Sequence, residues 1–245
     1  MKNKILNIII DNLKTLIGAL IIAVLIRSLI IQPFYIPSSS MEPTLLVGDR
    51  IFVTKYSYGY SKHSFPFSPN LSNYRFFSKE PKQGDLVVFK TPLDNRTDYI
   101  KRLIGLPGDT IQFISGELFI NNKAVTRTLT EISEPIRCGN FTLNTKTFLE
   151  TVPNGVQHLA TYNAQGTLQN TKRYVVPENH FFLMGDNRDC SKDSRFLDEV
   201  GYVKSLNLVG KAKIIFFSND TLKGSLLKFW NLPNSFRLKR TFQSL

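Results

Sequence analysis

The sequence predicts a mostly β protein: an N-terminal transmembrane helix followed by a β-barrel or sandwich-like core that carries a smaller inserted β-rich elaboration. Three observations predict it. One apolar segment lies close to the N-terminus. Beyond it, short runs rich in Val, Ile, Phe and Tyr recur between Gly, Pro and Asn turns, the spacing expected of a barrel or sandwich. Between residues 125 and 172 that pattern weakens and polar residues dominate, which marks an insertion between two halves of the core. At 245 residues the chain is long enough for one large domain with such an insertion.

Taken in order, residues 1–12 form a short N-terminus with Lys2 and Lys4, and residues 13–31 form the anchor. As a helix, residues 16–31 span about 24 Å, and flanking residues such as Leu13 bring the segment close to bilayer thickness. A cleavable export signal is the competing reading, because residues 16–26 have the length of its apolar core and small residues follow at Ser38 to Ser40. Leu29, Ile30 and Ile31 continue the apolar run and favour a retained anchor. Arg27 lies near the far end, where its long stem reaches the interface. The N-terminal lysines keep that end in the cytoplasm and put everything after Gln32 outside.

The core is assigned to residues 32–124 and 173–218, with strand-like runs at 50–56, 85–91, 99–104, 110–113, 117–120, 174–176, 181–184 and 208–217. Residues 116–125 read as a hairpin turning at Asn121-Asn122-Lys123. The aromatic stretch 56–82, with Phe65, Phe67, Tyr74, Phe76 and Phe77, reads as an ordered surface loop, contact with lipid headgroups being the alternative. The tail, 219–245, mixes Leu226, Leu227, Phe229 and Trp230 with Lys223, Lys228, Arg237 and Lys239, a pattern that suits either membrane contact or packing on the core.

A formal net charge of +12 and a pI of about 9.7 raise the question of nucleic acid. The basic residues are dispersed, no helix-turn-helix, zinc-finger or basic-zipper pattern accompanies them, and an anionic lipid bilayer accounts for the same charge, so no nucleic-acid partner is expected. Cys138 and Cys190 stand far apart, and spacing alone leaves open whether they are joined. Without CxxC, HExxH or a clustered Cys/His set, neither a metal nor a cofactor is expected.

The chemistry lies in two segments, Pro37-Ser38-Ser39-Ser40-Met41-Glu42-Pro43-Thr44 and Tyr99-Ile100-Lys101-Arg102-Leu103-Ile104-Gly105. Serine needs a proton acceptor to act as a nucleophile. None of the three histidines, His63, His158 and His180, sits in a compact polar motif. Lys101 has apolar neighbours, and a desolvated lysine loses its proton near neutrality and then takes one from a hydroxyl. The pair suggests serine-lysine hydrolysis.

The ordered set of Ser38-x-Ser40-Met41-x-Pro43-Thr44, Gly48-Asp49-Arg50, Gly84 to Phe89, Lys101 to Asp109 and Met184 to Arg195, following an anchor, resembles the bacterial type I signal peptidases, or leader peptidases. The resemblance covers roughly half the chain. It implies Ser40 as nucleophile, Lys101 as general base, and an oxyanion hole from the Ser40 N–H and the Ser38 hydroxyl. It implies that Ser191 orients the base amine by a hydrogen bond, and that Asp193 and Arg195, with Arg102, support the loop beside the base. Phe34, Ile36, Met41, Leu45, Tyr99 and Ile100 align with shallow apolar pockets that select small residues one and three positions before the cleaved bond. Ser39, where many relatives have glycine, and Cys190 depart from the commonest pattern. The implied substrates are exported preproteins carrying signal peptides, cut through an acyl-enzyme. The implied setting is a single-pass inner-membrane protein with its N-terminus cytoplasmic and its catalytic domain on the outer, periplasmic face. Three rivals remain: a self-cleaving serine-lysine protease of the repressor type, which would carry a DNA-binding region in place of the anchor; a membrane-tethered β module that binds without catalysis; and a close relative that processes only a narrow set of exported proteins, as in organelle inner membranes or conjugation systems.

Overall fold

The computed structural model describes residues 2–70, 72–166, 170–220 and 235–245. Its first element is a helix, α1 (Lys2–Leu29), whose stretch Leu6–Leu29 is long and apolar enough to cross a membrane and is not buried by the rest of the molecule. This span begins earlier than the expected residue 13, because Leu6 and Ile8 to Ile10 extend the apolar surface. Asp11 and Lys14 within it pair at 3.3 Å. The helix stops at Leu29, short of the expected residue 31. Pro33 disfavours helical geometry at the residue before it, and Ile31 instead begins a strand.

The strands that follow are β1 (Ile31–Tyr35), β2 (Asp49–Thr54), β3 (Leu86–Lys90), β4 (Asp98–Gly105), β5 (Thr110–Ile114), β6 (Glu117–Ile120), β7 (Lys123–Ala124) and β8 (Thr126–Leu129). Next come β9 (Ile136–Cys138), β10 (Phe141–Leu143), β11 (Thr145–Thr151), β12 (Gln157–Asn163), β13 (Tyr174–Val175), β14 (His180–Met184), β15 (Val203–Lys204), β16 (Leu208–Ser218) and β17 (Gln243–Ser244). The main antiparallel sheet runs β1-β2-β16-β3-β4-β14-β15, with β17 beside β16. A mostly β protein behind one apolar helix is what the sequence predicts. Each strand-like run coincides with a strand to within two residues at either end. The hairpin turn is also present, with Asn121 and Asn122 both at positive φ (54° and 62°), as a tight turn between twisted strands requires.

Two apolar clusters pack against the main sheet. One joins Ile36, Met41, Leu45, Ile51, Val53, Val88 and Ile215; the other joins Tyr58, Val87, Phe89, Leu103 and Leu183. Alternation along β3 explains the division, since Val88 belongs to one cluster and Val87 and Phe89 to the other. A third cluster joins Ile111, Phe113, Leu118 and Ile120 of the β5–β6 hairpin to Val152, Ala160 and Tyr162 of the 125–172 stretch and to Phe182 and Met184 of β14. The stretch read as an insertion therefore shares its core with the strands on both sides of it in sequence. Of the tail, residues 221–234, including Leu226, Leu227, Phe229 and Trp230, lie outside the described residues.

Candidate active site

Ser40 sits in a single 3-10 turn, Ser39–Met41, where the chain leaves β1 and its cluster closes over Ile36, Met41 and Leu45. The loop after β14 holds that turn from the other side. Asn187 donates its backbone N–H to the Ser40 carbonyl and its side-chain amide to the Ser39 carbonyl, both at 3.2 Å. The Ser40 side chain meets Lys101: Nζ donates to Oγ at 2.6 Å. Ser38 Oγ lies 3.4 Å from Ser40 Oγ. Two segments sixty-one residues apart thus converge on one hydroxyl.

Lys101 is 3% exposed, and burial pushes its pKa from the ordinary 10.5 down to about 8, against the opposing pull of Asp193 and Asp186. The Tyr99 ring, two residues earlier on the same strand, lies 5.5 Å from the amine. Among the described residues no carboxylate is bonded to Nζ, and its hydrogen-bond partner is the serine hydroxyl. An amine in this setting is neutral for a useful fraction of the time near pH 8, and once neutral it accepts the serine proton.

The expected bond from Ser191 to this amine is not made. Ser191 Oγ donates instead to Asp193 Oδ2 at 2.7 Å, because that carboxylate is the stronger acceptor and lies two residues away. Asp193 is completely buried and receives Arg195 through Nε (2.7 Å) and Nη2 (2.8 Å), and the Gly185 N–H at 3.0 Å. Burial alone would raise its pKa, but Arg195 and these donors bring it below the usual carboxylate value. Arg102 does not join this pair. It binds Asp186 through Nε (2.7 Å) and Nη2 (2.6 Å) and donates to the Gly84 carbonyl at 2.7 Å, while the Thr44 hydroxyl donates to Asp186 at 2.6 Å.

A cavity of about 310 Å³ opens beside Ser40 and Lys101. Phe34, Ile36, Met41, Tyr99 and Ile100 line it, as the resemblance implies. Leu45 does not. It is fully buried and packs in the cluster with Ile36 and Met41, behind the wall rather than in it. Ile51 and Val88, from strands facing the serine turn, complete the apolar lining.

Several residues at the site escaped sequence reasoning. Gly185 is one: a Cβ there would come 2.2 Å from Ser191 Oγ and 2.4 Å from the Ser40 carbonyl oxygen, so only glycine lets the loop close on the serine turn. Its place in the Met-Gly-Asp-Asn box was the available signal. Glu150, Tyr162 and His158 are others: they form a buried cluster behind the loop with Arg188, which, like Asp186 and Asn187, the resemblance implies shapes its turn; Arg188 Nη2 donates to Glu150 at 2.8 Å, Nη1 donates to Tyr162 at 2.8 Å, and His158 Nε2 lies 3.4 Å from Glu150. Burial alone would raise Glu150, and Arg188 overcomes it to hold the carboxyl below its ordinary value. Nothing in local sequence points from strands β11 and β12 to this loop.

Cys138 and Cys190 are joined by a disulfide, with Cα atoms 5.7 Å apart. Ser39 Oγ donates to the Arg137 carbonyl at 2.7 Å. Both departures from the commonest family pattern therefore contact the same strand, β9, and tie the serine turn and the loop after β14 to it.

A serine hydroxyl bonded to a buried, partner-poor amine, beside an apolar cleft in a β domain that follows an apolar helix, is the arrangement of a membrane-anchored serine hydrolase. Residues 9–217 match the family described as "Signal peptidase, peptidase S26", and the chain belongs to that family. Among its relatives, "Signal peptidase I" of Rickettsia typhi is 43% identical over 242 residues, covering 91% of this chain and 89% of that protein. "Signal peptidase I" of Rickettsia bellii is 37% identical over 250 residues, covering 95% and 84%. The crystal structure of a signal peptidase I from Enterococcus faecalis aligns at 26% identity with a TM-score of 0.31, covering 54% of this chain and 97% of that one. The chain is a membrane-anchored serine peptidase of the family that removes signal peptides.

Proposed function

We propose that Ser40 is the nucleophile and Lys101 the general base of an endopeptidase that releases exported preproteins from their signal peptides through an acyl-enzyme. The observation that carries the reading is the 2.6 Å contact between Lys101 Nζ and Ser40 Oγ at a site where burial brings the amine to about 8. The neutral amine takes the Ser40 proton as Oγ attacks the scissile carbonyl. The oxyanion is met by the Ser40 N–H and the Ser38 hydroxyl, donors of a kind worth about 3–4 kcal/mol in other hydrolases. The protonated amine then gives its proton to the departing amino group of the mature protein. Water, deprotonated by the same amine, releases the signal peptide from Ser40.

Phe34, Ile36, Met41, Tyr99 and Ile100 supply the walls that admit small side chains on the substrate, while Arg102, Asp193, Arg195 and Ser191 hold the loop behind the base. The Leu6–Leu29 helix keeps the enzyme in the inner membrane, with the N-terminus cytoplasmic and the catalytic domain on the outer, periplasmic face. Tethering enzyme and signal peptide in one bilayer raises their effective concentration. The test incubates detergent-solubilised wild type and Ser40→Ala with a preprotein and maps the product N-terminus. Wild type is expected to give one new N-terminus following small residues at the first and third positions before it, and Ser40→Ala none. Cleavage by Ser40→Ala at the wild-type rate overturns the assignment.

A further inference from the structure

A second cavity, of about 420 Å³, lies at the foot of the membrane helix, away from Ser40. Its walls bring together Arg27 from the end of α1, Lys90 and Asp98 at the end of the β3–β4 hairpin, Arg96 between those strands, and His63 and Phe67 from the aromatic loop. Lys90 is neutralised locally by Asp98 at 2.9 Å. Arg27 and Arg96 have no ion-pair partner among the described residues, and both are exposed to solvent at the cavity.

The floor is more telling. His63 is 3% exposed, its Nδ1 lies 3.0 Å from Ser68 Oγ, and its Nε2 has no hydrogen-bond partner among the described residues. Close by, Lys55 is 1% exposed and its Nζ also lacks one. A buried polar nitrogen left unpaired is costly, so two of them beside a cationic cavity point to a polar partner that arrives from outside. Burial first, and then Lys62, Lys90, Arg75 and Lys55, push the imidazole down to about 4. Among the described residues Asp98 is the one carboxylate lining the cavity.

We propose that this cavity binds the phosphate of an anionic phospholipid, with Arg27 and Arg96 meeting the charge and His63 Nε2–H donating to a phosphate oxygen. The proposal rests on the membrane-anchored reading of α1. Arg27 lies two residues before the helix ends at Leu29, which places the cavity at headgroup depth. Phe67, fully exposed at its rim, is a side chain suited to that interface. A cationic pocket beside a membrane helix is the setting in which lipid headgroups are held.

The test uses the full chain, with ¹⁵N-labelled histidine, in phosphatidylcholine nanodiscs to which phosphatidylglycerol is added. The His63 titration midpoint is expected to rise saturably by about one pH unit or more, since a bound anion favours the imidazolium. Arg96→Glu is expected to abolish the rise, and Arg96→Gln to weaken apparent affinity by roughly tenfold. No rise, or a rise undiminished in Arg96→Glu, overturns the site. An equal rise from inorganic phosphate in pure phosphatidylcholine discs overturns the lipid in favour of a free anion. Insertion is checked separately: release of the protein from vesicles by alkaline carbonate would contradict the membrane reading itself, whereas retention without a midpoint shift contradicts the site alone.

Discussion

Lys101 and Arg102 are neighbours on β4, at 3% and 6% exposure, yet they serve opposite ends. Successive strand residues face opposite sides, so each meets different company. Arg102 meets Asp186 in a two-point ion pair that is itself fully buried. Among the described residues Lys101 is hydrogen-bonded to a hydroxyl alone, with Asp193 and Asp186 acting from a distance and Arg195 opposing them. The same repeated device, arginine on carboxylate, recurs at Arg188–Glu150 and Arg195–Asp193. Burial with a bonded carboxylate makes a rigid frame. Burial without one makes a base.

The comparison is broken most severely by giving the catalytic position the frame's side chain. Lys101→Arg retains a cation of similar length but cannot deprotonate near neutrality, so kcat/KM for preprotein cleavage is expected to fall by at least about a thousandfold, with the circular dichroism of the folded protein unchanged. Residual activity within tenfold of wild type in steady-state assays would mean that no neutral amine is required. Removing a frame carboxylate produces the next largest effect. Asp186→Ala leaves Arg102 buried without its partner, and denaturant unfolding should show a loss of about 3–5 kcal/mol. A loss below about 1 kcal/mol would show that water reaches the guanidinium. The smallest effect is expected at Ser191, whose hydroxyl bonds the frame at Asp193 rather than the amine. Ser191→Ala should reduce kcat by about tenfold or less and leave the pH midpoint of activity unmoved, because a single hydrogen bond contributes about 1 kcal/mol. A moved midpoint would show that Ser191 acts on Lys101 directly.

Much of this was legible in the sequence because it is local. The strand-like runs and the Asn121-Asn122 turn follow from patterns a few residues long, and the apolar walls at Phe34, Ile36, Met41, Tyr99 and Ile100 from the family resemblance that the motifs carry. Leu45 was misread because an apolar residue in a motif serves equally well as lining or as the packing behind it, and only the turn at Ser39–Met41 decides between them. The partner of Arg102 was missed because Asp186, Asp193 and Glu150 can be matched with Arg102, Arg188 and Arg195 in several ways, and the fold alone selects Asp186. Glu150, His158 and Tyr162 were invisible for the same reason: they reach the loop from strands that carry no motif. The Cys138–Cys190 pairing likewise depends on β9 docking beside the serine turn.

The central claim is that Ser40 is activated by an amine which burial, unopposed by a bonded carboxylate, has brought near neutrality. The pH dependence of kcat/KM on a preprotein tests it most directly. A base with a depressed pKa is inactive while protonated, so the rate should climb tenfold per pH unit below about 8 and level off above it. A rate that is already maximal near pH 5 and does not rise between pH 6 and pH 8 would contradict the account.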